Sequence, residues 1–461
     1  MDFQKISEKM RAEKISEAAI NSFERSYRLL IEKKTSLIPE SELTPVISLP
    51  KYEELPKRAG TRTAPSLDRC ALLKLNGGLG TSMGLEKVKS LLTVKENMTF
   101  LDLIARQVNA FRSEQNSALR FLLMNSFSTS EDTREWLSKN PTLGSADETE
   151  VMQSMAPKID AATFEAISWP QNPALEWCPP GHGDLYAALA GDRIKALLKA
   201  GVEYLFVSNA DNLGASLDFD LYAWFVESGA PFAMEVTART PSDRKGGHLA
   251  LRNGKLTLRE SAQCADEDTD AFQDISKYRY FNTNNLWLHL PALSDALAKN
   301  GGFLPLPVIQ NRKTVDPRDK TTPAVYHLET AMGAAIECFG AAQAIDVPRS
   351  RFAPVKTTSD LFALRSDAYL ISKNGQVQLH PDCGGVPPVV KLDENYKLVD
   401  QLESALDSIA PSLQKCKSLT VAGPVFFESG VIFEGEVEIL NPSSKQKNLP
   451  AGTYTNIQIN L

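Results

Sequence analysis

Cys70-Ala-Leu-Leu-Lys-Leu75-Asn-Gly-Gly-Leu-Gly80-Thr-Ser-Met-Gly84 decides the fold. Cys70 to Leu75 is a short apolar run that Asn76-Gly-Gly stops, so it reads as a buried strand feeding a glycine loop. The same pattern recurs downstream. Leu119 to Met124 is the next buried strand, and Glu203-Tyr-Leu-Phe-Val-Ser208 is another, ending in the polar Asn209-Ala-Asp211. Helices fall between them: Thr99-Phe-Leu-Asp102 predicts a capping box opening a helix through Phe111, and Ser130 caps a helix over 131–139. Buried strands alternating with helices imply a mainly parallel sheet covered on both faces. Ligands of such sheets sit beyond the carboxyl ends of the strands, where both polar loops lie.

Upstream, Phe3, Ile6, Met10, Ile15, Ala19, Phe23, Tyr27 and Leu30 recur at helical spacing, predicting one long N-terminal helix over residues 1–44 that docks on the body. Residues 45–68, rich in proline and charge, predict a surface-hugging connection into a catalytic domain over 45–370. Within it, His248 to Arg252 and Lys255 to Arg259 flank Asn253-Gly254, a hairpin signal. Over 371–461 the helical periodicity weakens. From Ser418, short strands separated by Gly423, Gly430 and Gly435 suggest coils of a small β-solenoid.

Composition narrows the class. The chain has 461 residues, 43% hydrophobic and 23% charged, enough for two or three cores and unlike a disordered or fibrous sequence. Its net charge of −7 argues against a coat for nucleic acid or an anionic membrane, while allowing a local basic pocket. No window is long and apolar enough to span a membrane. The opening Met1-Asp-Phe-Gln-Lys5 lacks the plan of a secretory signal. Six scattered cysteines, without a C-x-x-C pair, predict buried thiols in a reducing cytoplasm rather than a zinc site or disulfide framework.

Several segments offer chemistry, and each has a plain structural alternative. The glycine loop lets backbone N–H groups approach anionic oxygens, or is only a tight turn. It is neither a Walker loop nor the dinucleotide fingerprint. Lys87 and Lys89 follow within reach of a phosphate. Pro179-Pro-Gly-His-Gly-Asp184 holds His182 between two glycines, with no Ser or Cys nearby for it to activate. Asp211, at a strand's carboxyl end, is a minimal magnesium ligand or a turn aspartate. Phe281-Asn-Thr-Asn-Asn-Leu-Trp287 offers three carboxamides to sugar hydroxyls, or to its own turn. Residues 347–360 mass Arg349, Arg351 and Lys356 among prolines, a clamp for a polyanion or a solvated loop. Together they describe a pocket for a nucleoside triphosphate, one hydrated divalent cation and a sugar.

These segments resemble, in order and spacing, the eukaryotic-type UTP–glucose-1-phosphate uridylyltransferases (UDP-glucose pyrophosphorylases). The motifs are Leu75 to Gly84, Pro179 to Tyr186, Val207 to Gly214, Phe281 to Trp287, Leu328 to Ala335 and Ser350 to Leu361, and the resemblance covers roughly residues 45 to 440. It implies an α/β nucleotidyltransferase (Rossmann-like) mixed sheet with helices on both faces, plus a C-terminal left-handed β-helix domain. It further implies that Leu75, Asn76, Gly77 and Gly78 hold the uracil and phosphates, with Lys89 on the phosphates and Gln153 and Gly181 on the uridine. His182 would contact the sugar phosphate, and Asn209 and Asp211 the sugar nucleotide, with Asp211 on Mg²⁺. Gly247, Glu260 and Asn284 would read glucose hydroxyls, and Lys356 would be the lysine essential for transfer. Where the family commonly has Gly-Pro before the loop lysine, this chain has Lys87-Val88, and Lys89 takes the matching place before Ser90. Residues 141–150 and the hydrophilic C-terminal stretch depart from the pattern, which leaves a homo-oligomer through the C-terminal domain open.

The reaction implied joins UTP and glucose 1-phosphate into UDP-glucose and pyrophosphate, reversibly. The sequence also admits two rivals. A UDP-N-acetylhexosamine pyrophosphorylase on the same fold would carry an Ala-Gly-Gly-Gln-Gly-Thr-Arg-Leu-Gly loop in place of Leu75 to Gly84. A non-catalytic nucleotide-sugar binder would need less cationic charge than Lys89 and Lys356 together supply.

Overall fold

A computed structural model describes residues 3–57, 65–407 and 409–461, so part of the connection expected over 45–68 lies outside the described residues. Where one long N-terminal helix is expected, the chain forms two, α1 (Gln4–Ala12) and α2 (Glu17–Ile31). The break has a local cause: Lys14 takes a left-handed φ of 58°, and the Ser16 hydroxyl accepts from Ala19 N–H, starting a new helix. The expected stripe still docks. Ile6, Met10, Ile20, Phe23, Tyr27 and Leu30 are buried against Ile159, Cys178, Val308 and Leu328 of the body.

The body is built on a ten-stranded sheet. Its strands are β1 (Leu43–Pro45), β2 (Cys70–Asn76), β3 (Arg120–Asn125), β4 (Glu150–Met152), β5 (Tyr204–Asn209), β6 (Phe232–Ala238), β7 (His248–Arg252), β8 (Lys255–Arg259), β9 (Tyr280–His289) and β10 (Gln343–Asp346). They run in the order β1-β7-β9-β5-β2-β3-β4, with β8 beside β7, and β6 bridging β9 to β10. The segment β5-β2-β3-β4 is parallel, but β9 lies antiparallel to β5 and β6. The sheet is therefore mixed rather than mainly parallel. The inserted hairpin β7–β8 adds a further antiparallel pair, turning at Asn253 and Gly254, both at positive φ.

Side chains alternate along each parallel strand, and both faces are covered. Leu72 and Phe206 enter one core, while Leu73, Leu205 and Val207 enter the other. The helix Phe100–Glu114 closes one face through the expected Thr99–Asp102 capping box. The helix Ser130–Ser138 starts one residue earlier than expected; Thr129 stands at its cap, and no side chain caps it. From Lys89 the chain makes a single 3₁₀ turn, Lys89–Leu91, before the short strand Thr93–Lys95.

In the C-terminal part, β11 (Val389–Leu392), β12 (Ser412–Ala422), β13 (Val431–Leu440) and β14 (Gly452–Asn460) stack in parallel in that order. Its core is continuous with one face of the main sheet, through Phe362 and Phe427, which meet edge to face at 5.7 Å. No helix among the described residues is long and apolar enough to cross a membrane. All six cysteines are free; Cys70, Cys178 and Cys416 are buried, and the other three are only partly so.

Candidate active site

A cavity of about 280 Å³ opens at the carboxyl ends of β2 and β5. It is lined by Leu75, Asn76, Gly77, Gly78, Lys89, Gln153, Gly181, His182, Asn209, Asp211 and Lys356 of the expected set, joined by Ser90, Met124, Pro179 and Ala210. The parallel register places Leu75 level with Asn209 and with Met124, so three strand ends meet there.

The glycine loop leaves β2 with its backbone bare. A Cβ on Gly78 would meet nothing within 4 Å, so that main chain faces open space, while Gly80 sits at φ 71°. Lys89 N–H donates to Gly78 O at 3.1 Å, folding the lysine back over the loop. Lys87 is exposed and does not line the cavity, so Lys89 is the lysine this geometry presents. The Asn76 carboxamide is engaged inward. Its nitrogen donates to Asn125 Oδ1 (2.7 Å) and Thr133 Oγ1 (3.0 Å), and its oxygen accepts from Ser90. What Asn76 offers a ligand is main chain.

The second loop is packed too closely for side chains. Gly181 adopts φ 82°, and a Cβ there would lie 2.8 Å from Thr330 N and closer still to Thr330 O. Gln153 ties this loop to the first: its Nε2 donates to Gly181 O at 2.8 Å, and its Oε1 lies against Gly77. Asp184 accepts from Ser154 N–H at 2.7 Å, and burial pushes its carboxyl up to about 6. His182 accepts from Met332 N–H at 3.0 Å through Nδ1. Burial and the nearby Lys356 hold the imidazole down at about 4, so at neutral pH it is uncharged, with its proton on Nε2.

Asp211 is the electrostatic centre. Lys89 Nζ lies 2.7 Å and Lys356 Nζ 3.2 Å from the same oxygen, Oδ2, while Oδ1 is buried with no hydrogen-bond partner. Lys356 arrives on a segment sewn to the Asp211 loop: Val355 N–H donates to Asp211 O (3.1 Å), Ala353 N–H to Asn212 Oδ1 (3.0 Å), and Asn212 Nδ2 to Arg351 O (3.1 Å).

The three-cation clamp does not form. Arg349 makes a two-pronged ion pair with Asp243, and Arg351 is buried against Glu235 at 2.8 and 2.9 Å, because guanidinium groups this close to carboxylates pair with them inside the fold. Only Lys356 of the three faces the cavity.

Gly247, Glu260 and Asn284 do not line the cavity itself. They form a second cluster, in which a Cβ on Gly247 would lie 2.7 Å from Glu260 Cδ, and Asn282 donates to Asn284 Oδ1 at 2.9 Å. Burial pushes the Glu260 carboxyl up, against a hydrogen bond from Asn282. The pairing of β5 with β9 ends at Val207 and Leu286, and Asn284, two residues earlier in β9, sits at φ 59° where the strand bulges between Asn282 and Asn285. Asn285, the third carboxamide of that run, is wholly buried on Glu235.

The sequence reading missed Ser90, Thr133, Asn125, Thr330 and Asp184. Asn125 ends a buried strand just as Asn76 and Asn209 do, and the same reasoning applied to β3 would have found it.

The family described as UTP–glucose-1-phosphate uridylyltransferase matches residues 20–434. The chain belongs to that family. It is 38% identical over 416 residues to a probable UTP–glucose-1-phosphate uridylyltransferase of Schizosaccharomyces pombe, covering 88% of this chain and 81% of that protein. It is 44% identical to a variant of UDP-glucose pyrophosphorylase from Leishmania major solved in complex with UDP-glucose, with a TM-score of 0.94 and 99% of each chain covered. The Trypanosoma brucei UDP-glucose phosphorylase structure is 43% identical, with a TM-score of 0.90 over 99% of this chain and 98% of that one.

Proposed function

We propose that this uridylyltransferase cavity joins UTP and glucose 1-phosphate by direct attack of the sugar phosphate on the α-phosphorus, releasing pyrophosphate and forming UDP-glucose reversibly. The observation that carries the reading is the convergence of Lys89 and Lys356, from distant segments, on Asp211 beside a bare glycine loop.

A phosphate monoester has its second pKa at about 6, so at pH 7 most of the sugar phosphate is already a dianion. It needs no general base, and neutral His182 is not asked to be one. The obstacle is repulsion between this dianion and the triphosphate. Lys89 and Lys356 exchange Asp211 for phosphate oxygens, and the N–H groups of the glycine loop add donors fixed before the ligand arrives. His182 donates from Nε2 to the sugar phosphate, its orientation held by Met332 N–H. Gln153 and Gly181 line the uridine side; Gly247, Glu260 and Asn284 read glucose hydroxyls.

The donor set fits magnesium. Asp211 Oδ1 is an orphaned, buried carboxylate oxygen, and Mg²⁺ asks for one or two carboxylates plus substrate phosphates. Among the described residues there is no cluster of three or more His, Cys, Asp or Glu for an all-protein cage. When bound, the metal would neutralise phosphate charge at Asp211.

The C-terminal stack reads as a left-handed β-helix, supported by parallel partners 18 residues apart (Leu419, Val437) and then 20 (Val437, Ile457). The outer edge of β14, which pairs with no further strand among the described residues, would receive a second copy. Six free thiols suit a cytoplasmic enzyme. A panel of sugar 1-phosphates with UTP and Mg²⁺, read by pyrophosphate release, tests the function. Glucose 1-phosphate should lead; preference for the N-acetylamino sugar, or no release at all, would overturn it.

A further inference from the structure

We propose that Lys74 is a positioning residue for the transfer step, holding the loop that carries Asn209 and Asp211 against the strand that carries the glycine loop. The proposal rests on the cavity reading given above and adds a residue that reading does not use.

Lys74 lies in the middle of β2 and is 1% exposed. Its Nζ donates to Ser208 Oγ at 2.8 Å and to Ala215 O at 2.7 Å. Ser208 precedes the Asp211 loop and Ala215 closes it, so one amine grips both feet of that loop. Both acceptors are uncharged. A buried lysine hydrogen-bonded to no carboxylate is costly, and an apolar side chain of similar volume would fill this space more cheaply. Arg351, Glu235 and Asp211 are the charged groups around it; burial, then Arg351, pushes the amine down to about 7. A neutral amine still has two N–H groups for its two acceptors, so the grip is independent of its protonation.

The grip continues upward. Arg351 donates to Ser216 O at 3.0 Å, next to the foot that Lys74 holds, and its segment delivers Lys356. Lys74 therefore sets, from below, the spacing of Asp211 relative to both catalytic ammonium groups. An error of about 1 Å in such spacing costs up to about a hundredfold in rate, without comparable loss of ground-state binding.

Lys74→Met keeps the stem and removes the donors. At a temperature well below the variant's own Tm, kcat for UDP-glucose formation should fall about tenfold or more, while KM for UTP changes less than about threefold. Ser208→Ala removes one acceptor and keeps the lysine; kcat should fall about threefold, with KM again steady. A lysine serving stability alone would give a lower Tm with parental kcat in both variants, and that result would overturn the proposal. If Lys74→Met does not fold, Ser208→Ala decides by itself. The parent enzyme is assayed alongside: a parent that forms no UDP-glucose refutes the function, whereas variants matching an active parent refute only the role of Lys74.

Discussion

Lys89 Nζ lies 2.7 Å from Asp211 Oδ2, and both side chains are largely shielded from solvent. Lys356 shares that oxygen from the solvent side, being about half exposed. One carboxylate oxygen thus gathers two cations, where the proposed reaction puts the phosphates.

Removing the more exposed cation tests this directly. Lys356→Ala should lower kcat by about 10²–10³-fold, the scale of losing one charge-stabilising donor in a transition state. Its exposed side chain supports little packing, so thermal unfolding should be unchanged. Steady-state kinetics beside a melting curve checks both halves.

Asp211→Asn should separate two functions of one carboxylate. Freed of their anion, Lys89 and Lys356 should bind UTP more tightly in the absence of Mg²⁺, yet the metal concentration giving half-maximal rate should rise about tenfold or more. Calorimetric titration with UTP, followed by kcat against Mg²⁺ concentration, reads the two effects.

Gly181→Ala should be severe. The new Cβ would meet Thr330 backbone on one side and demand φ 82° on the other, so a loss of about 2–4 kcal/mol is expected, with Gln153 and His182 displaced together. Denaturant unfolding would show the loss.

His182→Ala should raise KM for glucose 1-phosphate and leave KM for UTP nearly unchanged. Because burial and Lys356 hold the imidazole at about 4, it stays neutral from pH 5 to 8. The acid limb of the rate should instead follow the sugar phosphate's own ionisation at about 6. Replacing that substrate with an analogue of lower phosphate pKa should move the limb; an immobile limb would point back to the protein.

Stability should also carry a pH signature from His248. It is fully buried against Tyr278 and Phe272, both nitrogens lack partners, and burial followed by Arg239 and Arg259 pushes it down to about 3. The unfolded chain takes up this proton near pH 6.5 and the folded protein does not until about 3. This contribution to stability is therefore intact above 6.5 and is lost progressively as pH falls below it. His248→Phe removes one such proton, so the slope of stability against pH between 6 and 4 should flatten by up to one proton.

Strand ends and glycine turns were legible because their signals are local: an apolar run stopped by Asn76 or Asn209 reports its own geometry. The same holds for the Thr99 cap and the Asn253-Gly254 hairpin. Arg349 and Arg351 were misread because the carboxylates that claim them, Asp243 and Glu235, come from strands and turns over a hundred residues away in sequence. Lys74 was hidden for the opposite reason: a lysine inside an apolar run gives no sign of whether it is buried or snorkels to the surface. The mixed character of the sheet came from the family resemblance and not from the alternation of strands and helices, since β9 reads the same in either direction until its partners are known.

The most direct test is a crystal structure of the enzyme with UDP-glucose. The Lys89 and Lys356 ammonium groups should lie about 3 Å from phosphate oxygens and be released from Asp211, with the Gly78 main chain facing the same phosphates. A complex in which both lysines still grip Asp211 while the phosphates lie elsewhere would contradict this placement.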